Sequence, residues 1–233
     1  MNDLVYLIGF SGTGKSSVAK LIAKALGWSF IDMDDEIVSA SGTSISEIFQ
    51  TKGEKWFRDE ESKLLNDISV KSNYVISTGG GVPVKEQNMN IMLNTGYVIC
   101  LDASVDNIVA RLSILSDSNN KLNVRPKMTN LSLEDISNFK SERANIYSRA
   151  NFTINTNELT VEQVTNELLK SIGKFLNKLD VTEWQRIEGF CTSVENINNI
   201  YPVYVGCYLI QKSFGFYAYI ILTHYQLIKT SFV

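Results

Sequence analysis

Residues Leu4–Gly27 read LVYLIGFSGTGKSSVAKLIAKALG. The apolar run Leu4 to Ile8 has the length and composition of a buried strand. Gly9-Phe10-Ser11-Gly12-Thr13-Gly14-Lys15-Ser16 follows at once and matches G-x-x-x-x-G-K-[ST]. Val18, Leu21, Ile22 and Ala25 then recur at helical spacing, and Gly27 supplies a stop. Strand, glycine turn and helix are the context in which backbone N–H groups and the positive end of a helix dipole surround phosphates. Gly9, Gly12 and Gly14 let the backbone come close, Lys15 can reach the β- and γ-phosphates, and the Ser16 hydroxyl can ligate Mg²⁺. A glycine-rich turn that merely contains Lys-Ser is the bland alternative, and both flanks argue against it. The stretch marks a nucleotide site and leaves the acceptor of the phosphate open.

Outward from it, short apolar runs alternate with helical patterns as far as about Gly173. Strands are expected at Leu4–Ile8, Ser29–Met33, Tyr74–Thr78, Tyr97–Leu101 and Phe152–Asn155. Helices are expected at Lys15–Leu26, Ser44–Thr51, Trp56–Ile68, Lys85–Leu93, Val105–Ser113, Leu133–Arg149 and Thr160–Ile172. This rhythm predicts an α/β fold, a doubly wound parallel sheet with ligands beyond the carboxyl ends of its strands. Ser116–Asn123, SDSNNKLN, reads as a loop that could be a lid or a plain surface connection. After Gly173 the rhythm stops, and residues 174–233 are rich in β-branched and aromatic residues. The domain reading is therefore 1–173 and 174–233.

Composition narrows the classes. The chain has 233 residues, 44% hydrophobic and 20% charged, as a globular protein with ample core material does. A net charge of −3 offers no global field for nucleic acid or anionic membrane, so basic groups must act locally. Cys100, Cys191 and Cys207 are odd in number and lack metal-ligand spacing, which suggests a reducing compartment without disulfides. With a single histidine, His224, a His-based catalytic or zinc site is not expected. The first strand starts at about residue 4, so no leader is expected, and the late apolar stretch FGFYAYIILTHYQLI falls short of the roughly twenty residues of a spanning helix. A cytoplasmic location is expected.

The acceptor side must come from the remaining motifs. Asp32-Met33-Asp34 ends the second strand, where residues i and i+2 would project to one side. One carboxylate could hold Mg²⁺ and the other a hydroxyl acceptor; alternatively Asp34 or Asp35 caps a helix starting near Glu36. Arg58, in GEKWFRDEE, reads by itself as a solvated helical pair. Thr78-Gly79-Gly80-Gly81 directly follows a strand, and three glycines in a row suit backbone approach to a ligand better than a linker. Arg125-Pro126 follows the polar loop and could swing over the phosphoryl group; Arg143, four residues before Tyr147, could clamp a carboxylate. Either could equally be an ordinary surface arginine.

Taken together, G-F-S-G-T-G-K-S, D-M-D, F-R, G-G-G, R-P and R-x-x-x-Y resemble shikimate kinase in order and spacing, from Met1 to about Ile172. The resemblance implies a P-loop kinase fold of the nucleoside-monophosphate-kinase kind: a five-stranded parallel sheet flanked by helices, with a mobile lid. It implies phosphorylation of the 3-hydroxyl of shikimate by ATP with Mg²⁺, in chorismate and aromatic amino-acid biosynthesis. Gly9, Ser11, Gly12, Thr13, Gly14, Lys15, Ser16 and Ser17 would hold ATP, with Arg111 near adenine and Arg125 as the lid arginine. Ser16 and Asp32 would hold the metal. Asp34 would bind the acceptor hydroxyls and assist proton removal, Arg58 and Arg143 would clamp the carboxylate, and Gly79, Gly80 and Gly81 would meet the ring. Lys15, Asp34 and Arg125 are thus the expected catalytic groups. Shikimate is the expected partner of a monomer that binds neither nucleic acid nor membrane. The sequence departs from the family at Lys127-Met128, where the lid usually reads Leu-Leu, and at Asn145-Ile146, where Pro-Leu is common.

Tyr201–Ile210, YPVYVGCYLI, is similar to the opening strands of 3-dehydroquinate synthase, which suggests a truncated remnant of a fusion. A family-specific extension is the plainer reading of this tail. Two functional rivals remain at this point: another small-molecule or nucleoside-monophosphate kinase of the same fold, and a non-catalytic nucleotide-binding module.

Overall fold

A computed structural model describes residues 3–117 and 132–176. Its five strands are β1 (Leu4–Ile8), β2 (Ser29–Asp32), β3 (Tyr74–Ser77), β4 (Tyr97–Asp102) and β5 (Phe152–Asn155). They form one parallel sheet in the order β2-β3-β1-β4-β5. Every residue of β1 is buried, which explains its unbroken apolar run: parallel strands are covered on both faces. Val5 lies opposite Val75 on one side and Tyr97 on the other, and Leu7 opposite Ser77 and Ile99. The connection after β1 runs toward β2 on one side and that after the adjacent β4 toward β5 on the other, so the crevice beyond their carboxyl ends is the switch point where such sheets take ligands.

The period-two pattern of β1 divides the core. Val5 and Leu7 join Val18 and Ile22 of α1 (Lys15–Leu26) and Leu168 and Ile172 of α8 (Val161–Phe175). Leu4, Tyr6 and Ile8 face the other way, toward Leu65 and Ile68 of α4 (Gly53–Ser69) and Met89 and Met92 of α5 (Glu86–Thr95). Two smaller clusters shape the ligand end. Ile37 of α2 (Met33–Ser41) packs with Ile45 and Ile48 of α3 (Ile45–Thr51) and with Phe57. Phe10 packs with Ala103, Ile108 of α6 (Val105–Asp117) and Ile136 of α7 (Leu133–Tyr147).

The α/β class and all five strands agree with the sequence reading, with ends shifted by a residue at β2, β3 and β4. The stretch after β2 differs. The strand stops at Asp32 and α2 begins at Met33, so Asp32 and Asp34 are not alternate residues of one extended segment. Asp32 itself is the N-cap, its carboxylate accepting the Asp34 N–H at 3.0 Å, in place of the expected cap at Asp34 or Asp35. Met33, fully buried, and Ile37 one turn later draw the helix inward. Val82–Val84, after the glycine triplet, form a short 3-10 turn that the sequence reading did not foresee. No helix among the described residues is long and apolar enough to cross a membrane. Of the polar segment Ser116–Asn123, only its start is described, as the end of α6; Arg125, Lys127, Met128 and the tail motif Tyr201–Ile210 lie outside the described residues.

The boundary expected at Gly173 falls inside α8, which runs to Phe175. The Phe175 ring stacks on Tyr97 at 4.3 Å between centroids. A chain cut after Gly173 should therefore melt about 2–4 °C lower than one cut after Leu176, as loss of one aromatic pair implies. Thermal denaturation of the two truncations checks this.

Candidate active site

The phosphate loop is built around one carbonyl. Phe10 O accepts from Thr13 Oγ1 and from Lys15 Nζ, both at 2.8 Å. The Phe10 ring, 2% exposed, anchors the loop in the cluster shared by α6 and α7. Gly9 has φ +138°, and a Cβ built on it would run into the carbonyl oxygen of Leu101 on β4. The glycine is demanded twice, by conformation and by contact. α1 then starts at Gly14 with no side-chain cap and no acid in its first turn, so its leading N–H groups face no internal competitor.

Ser16 Oγ donates to Asp32 Oδ2 at 2.5 Å and stands 3.2 Å from Ser77 Oγ. Burial pushes the Asp32 carboxyl above its ordinary range; the hydrogen bond from Ser16 opposes this, while the charges of Asp34 and Asp35 add to it. Two hard oxygen donors thus converge at the mouth of the loop, a donor set that suits Mg²⁺. Asp34 sits in the first turn of α2, partly exposed. Among the described residues no group of three or more His, Cys, Asp and Glu could form an all-protein metal cage.

On the flank of the loop, Arg111 of α6 is held in two places by Thr156: Nη1 donates to its Oγ1 at 3.0 Å and Nη2 to its carbonyl at 2.6 Å. With Thr13, Gly14, Val18, Thr156 and Thr160 it lines a cavity of about 490 Å³, within the range of small-molecule sites. This position fits the adenine end of a nucleotide whose phosphates lie at α1.

The residues expected on the acceptor side gather on the glycine turn. Tyr147 Oη donates to Gly80 O at 2.8 Å, and Arg143 Nη1 reaches the same carbonyl at 3.4 Å. The Arg143 guanidinium lies over the Phe10 ring, 5.3 Å from its centroid, and so touches both halves of the cleft. A Cβ on Gly80 would come within 3.2 Å of Gly9 O, and one on Gly81 would fall on the Arg58 guanidinium. None of the three glycines has positive φ, and at Gly80 and Gly81 the demand is for room rather than for backbone conformation.

Arg58 is not the solvated pair that its neighbours suggest. Its Nη1 donates to Glu61 Oε2 at 2.7 Å and its Nη2 to Glu54 Oε1 at 3.2 Å, and Glu61 is fully buried. The sequence reading passed over Glu61, although a signal was present: it falls on the apolar stripe of Phe57, Leu65 and Ile68. An acid on that stripe must have a cation. Thr156 and Ser77 were also passed over, and nothing in their local pattern marks them. Cys100 is buried with its thiol pushed up to about 11, chiefly by burial, so it stays protonated and offers no nucleophile. The structure therefore brings together Lys15, Ser16, Asp32, Arg58, Gly80, Gly81 and Arg143, and sets Arg111 on the flank of the phosphate loop.

A family model described as shikimate kinase matches residues 11–173. The shikimate kinase of Thermodesulfovibrio yellowstonii is 39% identical over 174 residues, covering 74% of this chain and 96% of the relative. That of Aquifex aeolicus is 38% identical over 169 residues, 72% of this chain and 95% of the relative. Among solved structures, the shikimate kinase of Acinetobacter baumannii in complex with shikimate superposes with a TM-score of 0.67 at 27% identity, over 77% of this chain and 97% of that one. The Aquifex aeolicus structure gives 0.62 at 34% identity, over 74% and 98%.

Two outcomes follow from the electrostatics. Arg58→Met removes the cation beside a buried carboxylate and should cost about 2 kcal/mol, below the ~3–5 of a fully buried pair because Arg58 keeps some exposure. Arg58→Met with Glu61→Leu should recover most of that loss in denaturant titrations. Asp32→Asn keeps the cap but removes a carboxylate whose pKa is higher folded than unfolded. The folded state then binds the proton more tightly, so ionisation destabilises it as pH rises. With chelator present, the variant should melt above the parent near pH 7, and the gain should vanish below the ordinary aspartate range.

Proposed function

The chain belongs to the shikimate kinase family, and we propose that it transfers the γ-phosphoryl group of ATP to the 3-hydroxyl of shikimate between the phosphate loop and the Gly79–Gly81 turn. The carrying observation is the gathering of two guanidinium groups at that turn, against a loop that includes Lys15. A small hydroxylated carboxylate needs cations at one end and an acid at its reacting hydroxyl, with a triphosphate cradle opposite.

In this reading Arg143 and Arg58 bind the carboxylate. Arg58 carries five N–H donors, so its bonds to Glu54 and Glu61 fix its plane and leave donors for a ligand. Gly80 and Gly81 let the ring lie close to backbone. Asp34 binds the acceptor hydroxyls and takes up the proton as the new oxygen–phosphorus bond forms. Lys15 sits on the β- and γ-phosphates, the first-turn N–H groups of α1 cradle them, and Arg111 faces the base. Ser16 and Asp32 would hold Mg²⁺, whose contribution is to neutralise charge on the β- and γ-oxygens. Alignment and charge stabilisation do most of the work in such transfers, in keeping with a site without catalytic Cys or His. Arg125, outside the described residues, is assigned to the transferring group by family resemblance.

We read residues 1–173, extended to the end of α8, as the kinase unit, acting as a cytoplasmic monomer. Residues 174–233 are read as an extension, a remnant of a fused synthase, that the chemistry does not use.

A coupled ADP-release assay with ATP and Mg²⁺ tests the function. Release should depend on shikimate, and a folded sample without that dependence sinks the reading. Asp34→Asn should lower kcat by about 100-fold or more while leaving ATP binding unchanged, as loss of a positioned base does. A nucleotide-binding module without catalysis would tolerate that substitution.

A further inference from the structure

Helix α7 carries Arg143, and Ile136, Lys140, Arg143 and Tyr147 share one helical stripe, at spacings of four, three and four. Of the helix's residues only Ile136 and Tyr147 are buried, so its apolar seat is narrow. Among the described residues, Arg143 itself has one long bond, 3.4 Å to Gly80 O, and its contact with the Phe10 ring. Its stance therefore depends on how the helix is fixed. Tyr147 fixes the C-terminal end through Gly80 O. One turn before Arg143, Lys140 Nζ donates to Ala103 O at 2.6 Å and lies 2.9 Å from Asp102 Oδ1.

We propose that Lys140 is a positioning residue for the acceptor carboxylate: by clipping α7 to the end of β4 it sets where Arg143 meets the substrate. This rests on the reading of the cleft as a shikimate site. A half-exposed Lys–Asp pair by itself would be worth little. Lys140, however, also makes a short charge-assisted bond to the carbonyl of a fully buried residue. That segment is stiff, because the Asp102 carbonyl accepts the Thr156 N–H at 2.8 Å and its hydroxyl at 3.1 Å. The clip thus ties the arginine of the acceptor half to the strand end that also positions Thr156, the partner of Arg111.

The test uses the full chain with Lys140→Met, Lys140→Arg and Asp102→Asn, assayed against shikimate and against its carboxamide, which lacks the charge that Arg143 binds. Lys140→Met should raise the KM for shikimate roughly tenfold, and Asp102→Asn, which keeps an acceptor oxygen but removes its charge, about threefold, since small displacements of a binding group cost this much or more. The value of kcat should stay within about twofold and the KM for ATP unchanged, because carboxylate binding is shared by ground and transition states. Lys140→Arg should restore most of the affinity, and the carboxamide should show no Lys140→Met penalty. An unchanged shikimate KM in folded Lys140→Met or Asp102→Asn overturns the inference. So does an equal penalty on shikimate and carboxamide, or a lowered melting temperature with unchanged KM. If the parent chain releases no ADP in response to shikimate, the functional reading fails and this inference with it.

Discussion

The carbonyl oxygen of Leu101 occupies the space that a side chain at residue 9 would need, and much of the ligand end is arranged around that contact. β1 has to deliver the chain into a turn pressed against β4, tight enough for Phe10 O to gather Thr13 and Lys15 and for α1 to start without a side-chain cap. The same strand end, Asp102 to Ala103, then receives Thr156 from after β5 and Lys140 from α7. A central parallel strand, buried on both faces, makes this possible because neither β1 nor its neighbour β4 can shift without disturbing both halves of the core.

The donor half was legible because its requirements are local. A glycine that must take positive φ, a lysine one residue from the helix start and an apolar strand before them are all visible in consecutive residues. The acceptor half was legible only as a set. Arg58 and Arg143 each look ordinary, and what joins them is the triplet Gly79–Gly81, reached from α4 and α7, which are distant in sequence. The cap at Asp32 was misplaced because the alternation of Ser29–Met33 looks the same whether the last residue closes a strand or sits in a helix. Burial of Met33 decides between them, and burial is a tertiary property. Glu61 could have been found from its place on the apolar stripe of α4, but three acids in succession hid which one faces inward.

Most charged groups of the cleft have a fixed polar partner. Arg58 stands between two glutamates, Lys140 against Asp102, and Asp32 accepts from Ser16 beneath Lys15's end of the loop. With a net charge of −3 on the whole chain, the site does not rely on a diffuse positive field. Its cations Arg58, Lys140 and Arg143 are held at fixed orientations by their partners, which is what electrostatic preorganisation requires. Arg143 is supported by an aromatic face and a carbonyl, and its guanidinium faces both halves of the cleft.

The overlap between a side chain at position 81 and the Arg58 guanidinium has a consequence for how this cleft can change over generations. Neither position can be altered freely while the other stays. Any residue larger than glycine at 81 displaces the arginine, and loss of the arginine first takes the cation from a buried Glu61. A lineage that changes this turn must cross a valley in which a single substitution harms stability before a second one compensates. The pair is an epistatic lock, and it ties the shape of the glycine turn to the integrity of α4.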